Sequence, residues 1–242
     1  MRTLIAGTDI GLVRSVNQDR FCVNIISDTL AYAVLCDGMG GENGGHVASE
    51  LACGYADETL GRDLVDGMNE SSIRGVLMSV FAGANAVVRE AARKDEALSG
   101  MGTTMIAAVI SGDSLYAACV GDSRIYRASA NQVEQLTRDH TVVQMLLDIG
   151  EITPQDAALH PQRHYITRAV GAADSIDADF LVQKLSQNDR ILLCSDGLYN
   201  YLESGDMYPL LDQCLKGDNV TPLIDLAKSS GGGDNITAIV MA

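Results

Sequence analysis

The sequence predicts an α+β sandwich, in which strands joined by hairpins are covered on the outside by helices. Three observations support this prediction. Apolar segments rich in Val, Ile and Tyr are separated by short polar turns, as in antiparallel sheets. Residues 73–91 place apolar side chains on one face at helical spacing. Strands and helices do not alternate regularly, which argues against a doubly wound parallel sheet.

The first part of the chain predicts strands followed by two helices. The expected elements are a strand–turn–strand unit at 3–26, a hairpin strand at 30–36, a loop at 37–46 and helices at about 47–60 and 73–91. Ser71 or Ser72 is the expected N-cap of the second helix, because a hydroxyl can accept a bond from a free amide of the first turn. This helix packs one face on a sheet, and nothing on it suggests a site.

The rest of the chain alternates between short strands and short helices. The expected elements are a meander at 103–110, 115–120 and 124–128, a strand at 131–136, short helices within 139–160, a strand pair at 179–185 and 190–195, helices at 205–216 and 222–230, and a last strand at 236–241. Thr153 and Pro154 are the expected cap and first turn of one short helix, since Pro suits the first helical position.

Composition limits the fold and the kinds of partner. The 242 residues are 47% hydrophobic and include no Trp, so Val, Leu, Ile, Ala and Met must fill the core. No linker, repeat or low-complexity tract divides the chain, and we expect one domain over residues 1–242. The net charge of −15 argues against nucleic-acid binding. It would also repel a phosphorylated substrate at long range, so phosphate chemistry would need local cations and arginines.

The sequence predicts a reduced, cytoplasmic setting with no membrane contact. The longest strictly apolar run, Leu30 to Cys36, is far shorter than the ~20 residues that span a bilayer. The N-terminal apolar patch is too brief for a signal peptide. The six cysteines contain no C-x-x-C pair, so we expect buried reduced thiols rather than disulfides or zinc ligands.

Three carboxylates far apart in the sequence share one local pattern. Asp37 and Asp196 each follow an apolar, strand-like run and precede a glycine. Asp234 shows the mirrored pattern, because a glycine run precedes it and the last apolar run follows it. If the three strands are neighbours, the carboxylates converge. Hard divalent cations such as Mg²⁺ and Mn²⁺ take oxygen ligands of this kind, so we predict the metal centre of a hydrolase.

An ordered set of motifs extends this pattern over nearly the whole chain. The set is Gly11-x-x-Arg14-x-x-Asn17-Gln18-Asp19, Asp37-Gly38-Met39-Gly40-Gly41, Gly102-Thr103-Thr104, Gly121-Asp122-Ser123-Arg124, Leu136-Thr137-x-Asp139-His140, Ile166-Thr167-Arg168-Ala169-Val170-Gly171, Ser195-Asp196-Gly197-Leu198 and Gly233-Asp234-Asn235. One Asp-Gly pair alone is weak, because most such pairs are ordinary turns. In this order the set resembles the bacterial form of the metal-dependent serine/threonine protein phosphatases of type 2C.

The resemblance implies a four-layer α-β-β-α sandwich of two stacked antiparallel sheets flanked by helices, with a helical flap insert at about 139–165. It also implies a site for two cations, Mn²⁺ or Mg²⁺, at one end of the sandwich. Asp37 would bridge the cations, the Gly38 carbonyl would complete one of them, and Asp196 and Asp234 would hold the other. A water shared by the two cations would attack phosphorus.

The resemblance implies further roles near the metals. Arg14 would bind phosphate oxygens with its fork-shaped guanidinium, and Asp19 would order metal-bound water. Asn235 would orient the carboxylate beside it. Asp122 would hold a third cation only weakly, because Asn200 stands where bacterial relatives have a second aspartate and an amide oxygen is a neutral ligand.

Several positions depart from the family pattern. Met39 replaces the histidine that animal members place after the Asp-Gly pair and that has been proposed as a general acid, and Gln18 replaces the usual acid before Asp19. Glu42 and His46 are exchanged relative to bacterial members. His46 either takes over a role or lies on the surface at the start of a helix, and the surface position is the expectation.

Other polar residues allow simpler interpretations. His140, His160 and His164 match no zinc spacing and are expected on the surface of the flap. Arg124 and Arg168 would either contact the substrate phosphate or form structural salt bridges.

Three functions fit these patterns. The first is a protein phosphatase for phosphoserine and phosphothreonine, acting as a monomer on targets of a bacterial serine/threonine kinase. The second is a phosphatase dedicated to one regulator in a partner-switching pathway. The third is a non-catalytic module that binds phosphoproteins, although such a module has no need of two cations.

Overall fold

The computed structural model describes residues 3–242, apart from the side chains of Glu42, Asn43 and Ala158. In chain order its strands are β1 Leu4–Asp9, β2 Asp19–Ile25, β3 Leu30–Met39, β4 Gly102–Thr103, β5 Met105–Ser111, β6 Ser114–Val120, β7 Arg124–Ala128, β8 Val133–Gln135, β9 Asp179–Lys184, β10 Arg190–Cys194 and β11 Ile236–Met241. Its helices are α1 Gly41–Asp63, α2 Glu70–Lys94, α3 Val142–Asp148, α4 Pro154–Leu159, α5 Asp196–Tyr199, α6 Ser204–Gly217 and α7 Thr221–Ser229. A 3₁₀ turn, Glu96–Leu98, follows α2.

The strands form two antiparallel sheets, and this confirms the predicted four-layer α+β fold. One sheet has the order β1-β11-β10-β7-β8, and the other has the order β2-β3-β5-β6-β9 with β4 paired to β3. A central core lies between the sheets, and it includes Leu35 and Ile106 from one and Leu193 and Ile239 from the other. Helices α1 and α2 cover the β3 sheet, and α6 and α7 cover the β11 sheet.

Helix α2, with 25 residues, is the longest helix that the structure describes. By length and composition alone it could cross a membrane. Its apolar side chains, among them Ile73, Leu77 and Phe81, are buried in the layer between the helices and the β3 sheet. The helix therefore contributes its apolar face to the protein core, as the periodicity predicts.

The starts of the first two helices differ from the expectation. Helix α1 begins at Gly41, inside the expected loop, because Gly45 packs directly on the Gly38 backbone and tertiary packing outweighs the low helix propensity of glycine. The cap of α2 is Asn69 rather than Ser71 or Ser72, since Asn69 Oδ1 accepts a bond of 2.9 Å from the Ser72 amide.

Two strand pairings expected from the sequence are wrong. The strand over 124–128 does not continue a meander, because β7 pairs with β10 and β8 in the other sheet. The strands near 179–185 and 190–195 do not pair either, since β9 lies beside β6 and β10 lies between β7 and β11. In both places the chain crosses between sheets. Apolar alternation marks a strand but does not say which sheet it joins.

The flap predicted over 139–165 contains α3 and α4. Its base is closed by an antiparallel bridge between Thr141 and Ile166. Thr153 caps α4 as expected, and it forms a capping box with Asp156 while Pro154 opens the helix.

Candidate active site

A cleft of ≈ 1350 Å³ at the ends of β3, β10 and β11 brings most of the predicted site residues together. It is lined by Arg14, Asp37, Gly38, Asp122, Asp196 and Asp234. Asp19, the remaining predicted residue, is buried beneath the cleft lining, opposite Asp37 on the neighbouring strand β2. The carboxylates remote in sequence therefore share one region of the molecule.

The carboxylates converge at one end of the sandwich, as the resemblance implies, although their three strands are not neighbours in one sheet. Asp196 and Asp234 flank β10 and β11, which are neighbours in one sheet. Asp37 comes from β3 in the facing sheet. The site therefore lies where the open ends of both sheets meet, rather than along the edge of three adjacent strands.

The Asp37 backbone is held by a pair of threonines. Its amide donates to Thr104 Oγ1 at 3.0 Å, and its carbonyl accepts from the Thr104 amide at 2.8 Å. Thr103 Oγ1 donates to the same carbonyl at 2.9 Å. These bonds fix the end of β3, so the Asp37 side chain leaves the strand at a defined place.

Gly38 must be glycine for a steric reason. A Cβ at this position would lie 2.0 Å from the carbonyl oxygen of Gly45 on α1 and 2.8 Å from that of Gln18. The strand end, α1 and the loop before β2 can approach this closely only because Gly38 has no side chain.

Asp19 is a buried carboxylate with one satisfied and one unsatisfied oxygen. Oδ2 accepts bonds from Ser195 Oγ at 2.8 Å and from Thr237 Oγ1 at 2.6 Å. Oδ1 is buried and has no hydrogen-bond partner within the described residues. An unpaired buried carboxylate oxygen is unfavourable unless a water or a cation serves it.

The electrostatics of the cleft are dominated by negative charge. Burial, together with the charges of Asp122, Asp234 and Asp19, raises the pKa of Asp196 to about 8. Burial also raises the pKa of Asp19 to about 6, and it raises the pKa of Asp37 in concert with the neighbouring carboxylates. The site therefore favours bound positive charge.

Arg14 offsets part of this charge at the rim. Its Nη2 donates to Asp234 Oδ2 at 2.7 Å. This bond, together with the negative charge of Asp234, Asp196 and Asp37, raises the pKa of Arg14. The guanidinium is half-exposed, so it can reach a ligand in the cleft.

Asn235 contacts the carboxylate beside it, as expected, and it also holds the loop that carries Arg14. Its backbone amide, not its side chain, donates to Asp234 Oδ1 at 2.8 Å. The side chain instead holds the loop that carries Arg14, because Nδ2 donates to the carbonyls of Ile10 and Val16 and Oδ1 accepts from the Gln18 amide. These bonds are 3.0, 3.1 and 2.8 Å long.

Asp122 lines the same cleft as Asn200, as the predicted third cation site requires. Asp122 is buried, and burial and the charge of Asp139 raise its pKa to about 6. Tyr199 lies beside the Asp122 carboxylate and offsets part of this rise in pKa. Tyr199 belongs to none of the sequence motifs.

The flap contributes residues that the sequence analysis did not place in the site. Arg163, Tyr165 and Ile166 line the cleft together with His164, and Tyr165 is 60% exposed. No motif included Arg163 or Tyr165, because a side chain on an irregular loop carries no periodic signal, whereas Ile166 begins the motif at 166–171. His164 lies on the surface, as predicted for it.

The remaining polar residues have structural contacts. His140 is buried rather than on the flap surface, because its Nδ1 accepts from the Gly121 amide at 3.1 Å. Arg124 forms a salt bridge with Asp139 at 2.7 Å, and Arg168 forms one with Asp179 at 2.9 Å.

His46 contacts Arg20 and lies 3.3 Å from Glu50 on α1. It is partly exposed there, within the second turn of the helix. Glu42, with which its position is exchanged, lies outside the described side chains.

The donor set fits hard divalent cations. All predicted ligands offer oxygen, including the Gly38 carbonyl. Among the described residues no three His, Cys, Asp or Glu side chains gather around one point closely enough to hold an ion alone. Mg²⁺ commonly uses one or two carboxylates and completes its shell with water, so this spacing suits it.

The chain is similar to known proteins over nearly its whole length. A family model described as protein phosphatase 2C matches residues 12–219. The serine/threonine phosphatase Stp of Listeria welshimeri is 34% identical over 235 residues, which cover 97% of this chain and 93% of that protein. The protein phosphatase PhpP of Streptococcus pneumoniae is 35% identical over 239 residues, covering 97% and 95%.

Solved structures match the fold over the whole chain. A serine/threonine phosphatase of S. agalactiae superposes with a TM-score of 0.91 at 34% identity, covering 100% of this chain and 99% of that one. The catalytic domain of the serine/threonine protein phosphatase PstP in complex with two manganese ions gives a TM-score of 0.80 at 31% identity, covering 99% and 97%.

Proposed function

We propose that Asp37, Gly38, Asp196 and Asp234 hold two divalent cations, Mn²⁺ or Mg²⁺. The premise is that this chain belongs to the protein phosphatase 2C family and is a serine/threonine protein phosphatase. One observation carries this proposal. Carboxylates that are remote in the sequence line a single cleft, where burial and then their mutual repulsion raise the pKa values of Asp37 and Asp196. The similar PstP structure with two manganese ions supports it.

When bound, such a pair of cations neutralises phosphate charge and supplies a nucleophilic water at neutral pH. The chain's own residues orient the reaction. Arg14 leaves Asp234 and donates to the phosphate oxygens, a geometry that guanidinium suits. Asp19 uses its unpartnered Oδ1 to accept from a water in the cleft, while Ser195 and Thr237 hold its other oxygen. Met39 cannot donate a proton, so the leaving hydroxyl of Ser or Thr takes its proton from another donor.

The finer features of the site and its partners belong to the same proposal. Asp122 would bind a third cation weakly, because Asn200 supplies only a neutral oxygen across the cleft. Substrates would be proteins phosphorylated by a bacterial serine/threonine kinase, which agrees with the bacterial relatives. We propose that the protein is a single catalytic domain, acts as a monomer in the cytoplasm and binds neither nucleic acid nor membrane.

The decisive experiment substitutes one proposed ligand by its neutral isostere. Asp196→Asn is compared with Asp225→Asn, a matched change at an exposed carboxylate on α7. Turnover of an aryl phosphate and of phosphoserine and phosphothreonine peptides is measured with Mn²⁺, with and without a chelator. We expect turnover by Asp196→Asn to fall by about 100-fold or more, since removal of a key electrostatic group typically costs that much. We expect Asp225→Asn to keep the parent rate. A folded Asp196→Asn with parent turnover would refute the metal assignment.

The breadth of the substrate range separates the two catalytic hypotheses. A general phosphatase hydrolyses phosphopeptides of different sequences with similar kcat/KM. An enzyme dedicated to one regulator hydrolyses that phosphoprotein far faster than any peptide derived from another protein.

A further inference from the structure

A polar side chain, Asn85, is buried on the apolar face of α2. It is 4% exposed, and its neighbours on this face include Phe81 and Val88. A buried amide is unfavourable unless its polar atoms are hydrogen-bonded. The partners of Asn85 are backbone groups outside the helix, because Oδ1 accepts from the Gly171 amide at 2.7 Å and Nδ2 donates to the Ala173 carbonyl at 3.0 Å. The side chain therefore fixes this part of the chain to α2.

The segment that Asn85 holds lies directly on the helix. Gly171 has a φ of +93°, which glycine adopts without strain. A Cβ at this position would overlap the Val88 side chain. Gly171 ends the motif at 166–171, and this motif begins at the antiparallel bridge that closes the base of the flap. Asn85 therefore holds the chain just after it leaves the flap.

Val170, beside this glycine, reaches the proposed metal ligands through β4. Val170 and Thr103 exchange two backbone hydrogen bonds, of 2.9 and 3.0 Å. On its other side Thr103 is paired with Gly38 of β3. The Thr103 hydroxyl also donates to the Asp37 carbonyl at 2.9 Å. Thr103 is therefore held between Val170 and the strand end that carries Asp37 and Gly38.

We propose that Asn85 on α2 is a positioning residue for Asp37 and Gly38. It holds the 170–173 segment against the helix, and the pairing of this segment with Thr103 determines where β3 ends. The effect on metal binding rests on the proposed function, whereas the hydrogen-bonded link does not. Groups that do not touch a metal commonly change its affinity, because they determine where the ligands lie.

The link is short and consists mostly of backbone. Its side-chain groups are the Asn85 amide at one end and the Thr103 hydroxyl at the other, and backbone pairs join them. Peptide geometry is stiff, so a displacement of one backbone pair moves the next. Loss of the Asn85 amide leaves the Gly171 amide and the Ala173 carbonyl without this partner, and the segment can then move away from α2.

The first test measures hydrogen exchange in the metal-free protein. Asn85→Ala is compared with Ile73→Val, which alters a buried side chain about 18 Å away along the same helix. In Asn85→Ala we expect exchange at 102–104 and 167–173 to accelerate more than exchange in β10, because local opening adds to any global loss of stability. In Ile73→Val we expect no such local excess. Exchange at 102–104 that follows exchange in β10 in both variants would overturn the proposal.

The second test measures Mn²⁺ affinity by calorimetry. We expect Asn85→Ala to lower the affinity about fivefold, since changes along a contact network shift coupling by amounts that correspond to roughly two- to thirtyfold. Ile73→Val should keep the parent affinity. Thr103→Val removes the hydroxyl that holds the Asp37 carbonyl. If Asn85 acts through Thr103, the double variant loses less affinity than the product of the two single losses. Independent losses, or parent affinity in Asn85→Ala, would overturn the proposal.

Asn85→Ser replaces Asn85→Ala in both tests if the alanine variant does not fold. Its hydroxyl keeps a polar group at the position but is too short to bond both Gly171 and Ala173. Parent protein that binds no Mn²⁺ would contradict the proposed function. Hydrogen exchange in the metal-free protein would still decide whether Asn85 positions the end of β3.

Discussion

Arg14 and Asp234, separated by 220 residues of chain, are joined by a hydrogen bond of 2.7 Å between Nη2 and Oδ2. The proposed phosphate-binding group and a proposed metal ligand are thus each other's partner. A carboxylate that holds a cation attracts a guanidinium less strongly. Metal binding at Asp234 would therefore release Arg14 toward the substrate, and we predict that the metal binds before the phosphate.

Arg14→Ala is expected to raise KM for phosphopeptides by about tenfold or more. A charge-assisted hydrogen bond contributes roughly 1.5–3 kcal/mol, and about 1.4 kcal/mol corresponds to a tenfold change in affinity. Mn²⁺ affinity should not fall, since the substitution removes a competitor for Asp234. Steady-state kinetics and Mn²⁺ calorimetry measure the two effects. Arg62→Ala, at an exposed pair with Asp63, is the control. An unchanged KM in Arg14→Ala would show that the guanidinium does not bind phosphate.

The carboxylate cluster predicts how the stability of the metal-free protein varies with pH. The pKa of Asp196 is raised to about 8 and those of Asp19 and Asp122 to about 6, from an ordinary value of 3.8. The folded state thus binds more protons than the unfolded state, and the contribution of the cluster to stability is lost as the pH rises from about 4 to about 8.

Mn²⁺ should reverse this loss, because it replaces the protons as the compensating charge. In thermal melts we expect Mn²⁺ to raise Tm more at about pH 8 than at about pH 6, where protons compete with it. Asp196→Asn removes a carboxyl group whose pKa is raised to about 8, so the metal-free Tm of this variant should change less between these pH values. An equal Mn²⁺ effect at both pH values would contradict the coupling between protons and metal.

Asn235→Ala is expected to destabilise the fold and to weaken substrate binding together. The substitution leaves the carbonyls of Ile10 and Val16 and the amide of Gln18 without this side-chain partner. Loss of a buried partner costs about 1–3 kcal/mol, and the loop that positions Arg14 becomes freer. Urea unfolding and KM measure the two effects. Asn219→Ala, in the exposed turn before α7, should change KM little, and parent behaviour of Asn235→Ala would refute the role.

Two glycine-to-alanine substitutions near α1 should change the stability of the protein in opposite directions. Gly38→Ala would place a Cβ 2.0 Å from the Gly45 carbonyl oxygen, and overpacking of this kind costs about 1–3 kcal/mol or more. Gly54→Ala lies on the exposed face of α1 with open space around it, and it should stabilise the protein by about 0.5–1 kcal/mol. Chemical denaturation of both variants is the measurement. A Gly38→Ala protein as stable as the parent would show that the end of β3 can move enough to make room for the added Cβ.

Local patterns accounted for much of the fold. The 3.6-residue periodicity of α2, the Thr153-Pro154 start of α4 and the apolar runs of β3, β10 and β11 each depend on neighbours in the chain, so they could be predicted. The cap of α2 was misassigned within a polar stretch where Asn69, Ser71 and Ser72 could all cap a helix.

The candidate site was likewise predictable where it depends on local patterns and not where it depends on distant contacts. The strand–turn pattern around Asp37, Asp196 and Asp234 was visible in the sequence, and so was the resemblance that assigns Arg14 and Asp19 to the same site. The contacts that complete it were not. Ser195 and Thr237 reach Asp19 across 176 and 218 residues, and no local pattern records which buried hydroxyl a carboxylate will meet.

The sequence alone thus determined the strand ends that carry acids, the amphipathic helices and the reduced state of the cysteines. Only the tertiary structure decided that β7 joins the other sheet from β6, that β10 joins the other sheet from β9, and that Ser195 and Thr237 meet Asp19. The reason is physical. Periodicity and capping arise from interactions within a few residues, whereas the choice of sheet and the meeting of distant side chains depend on how all the apolar faces of the chain are buried together.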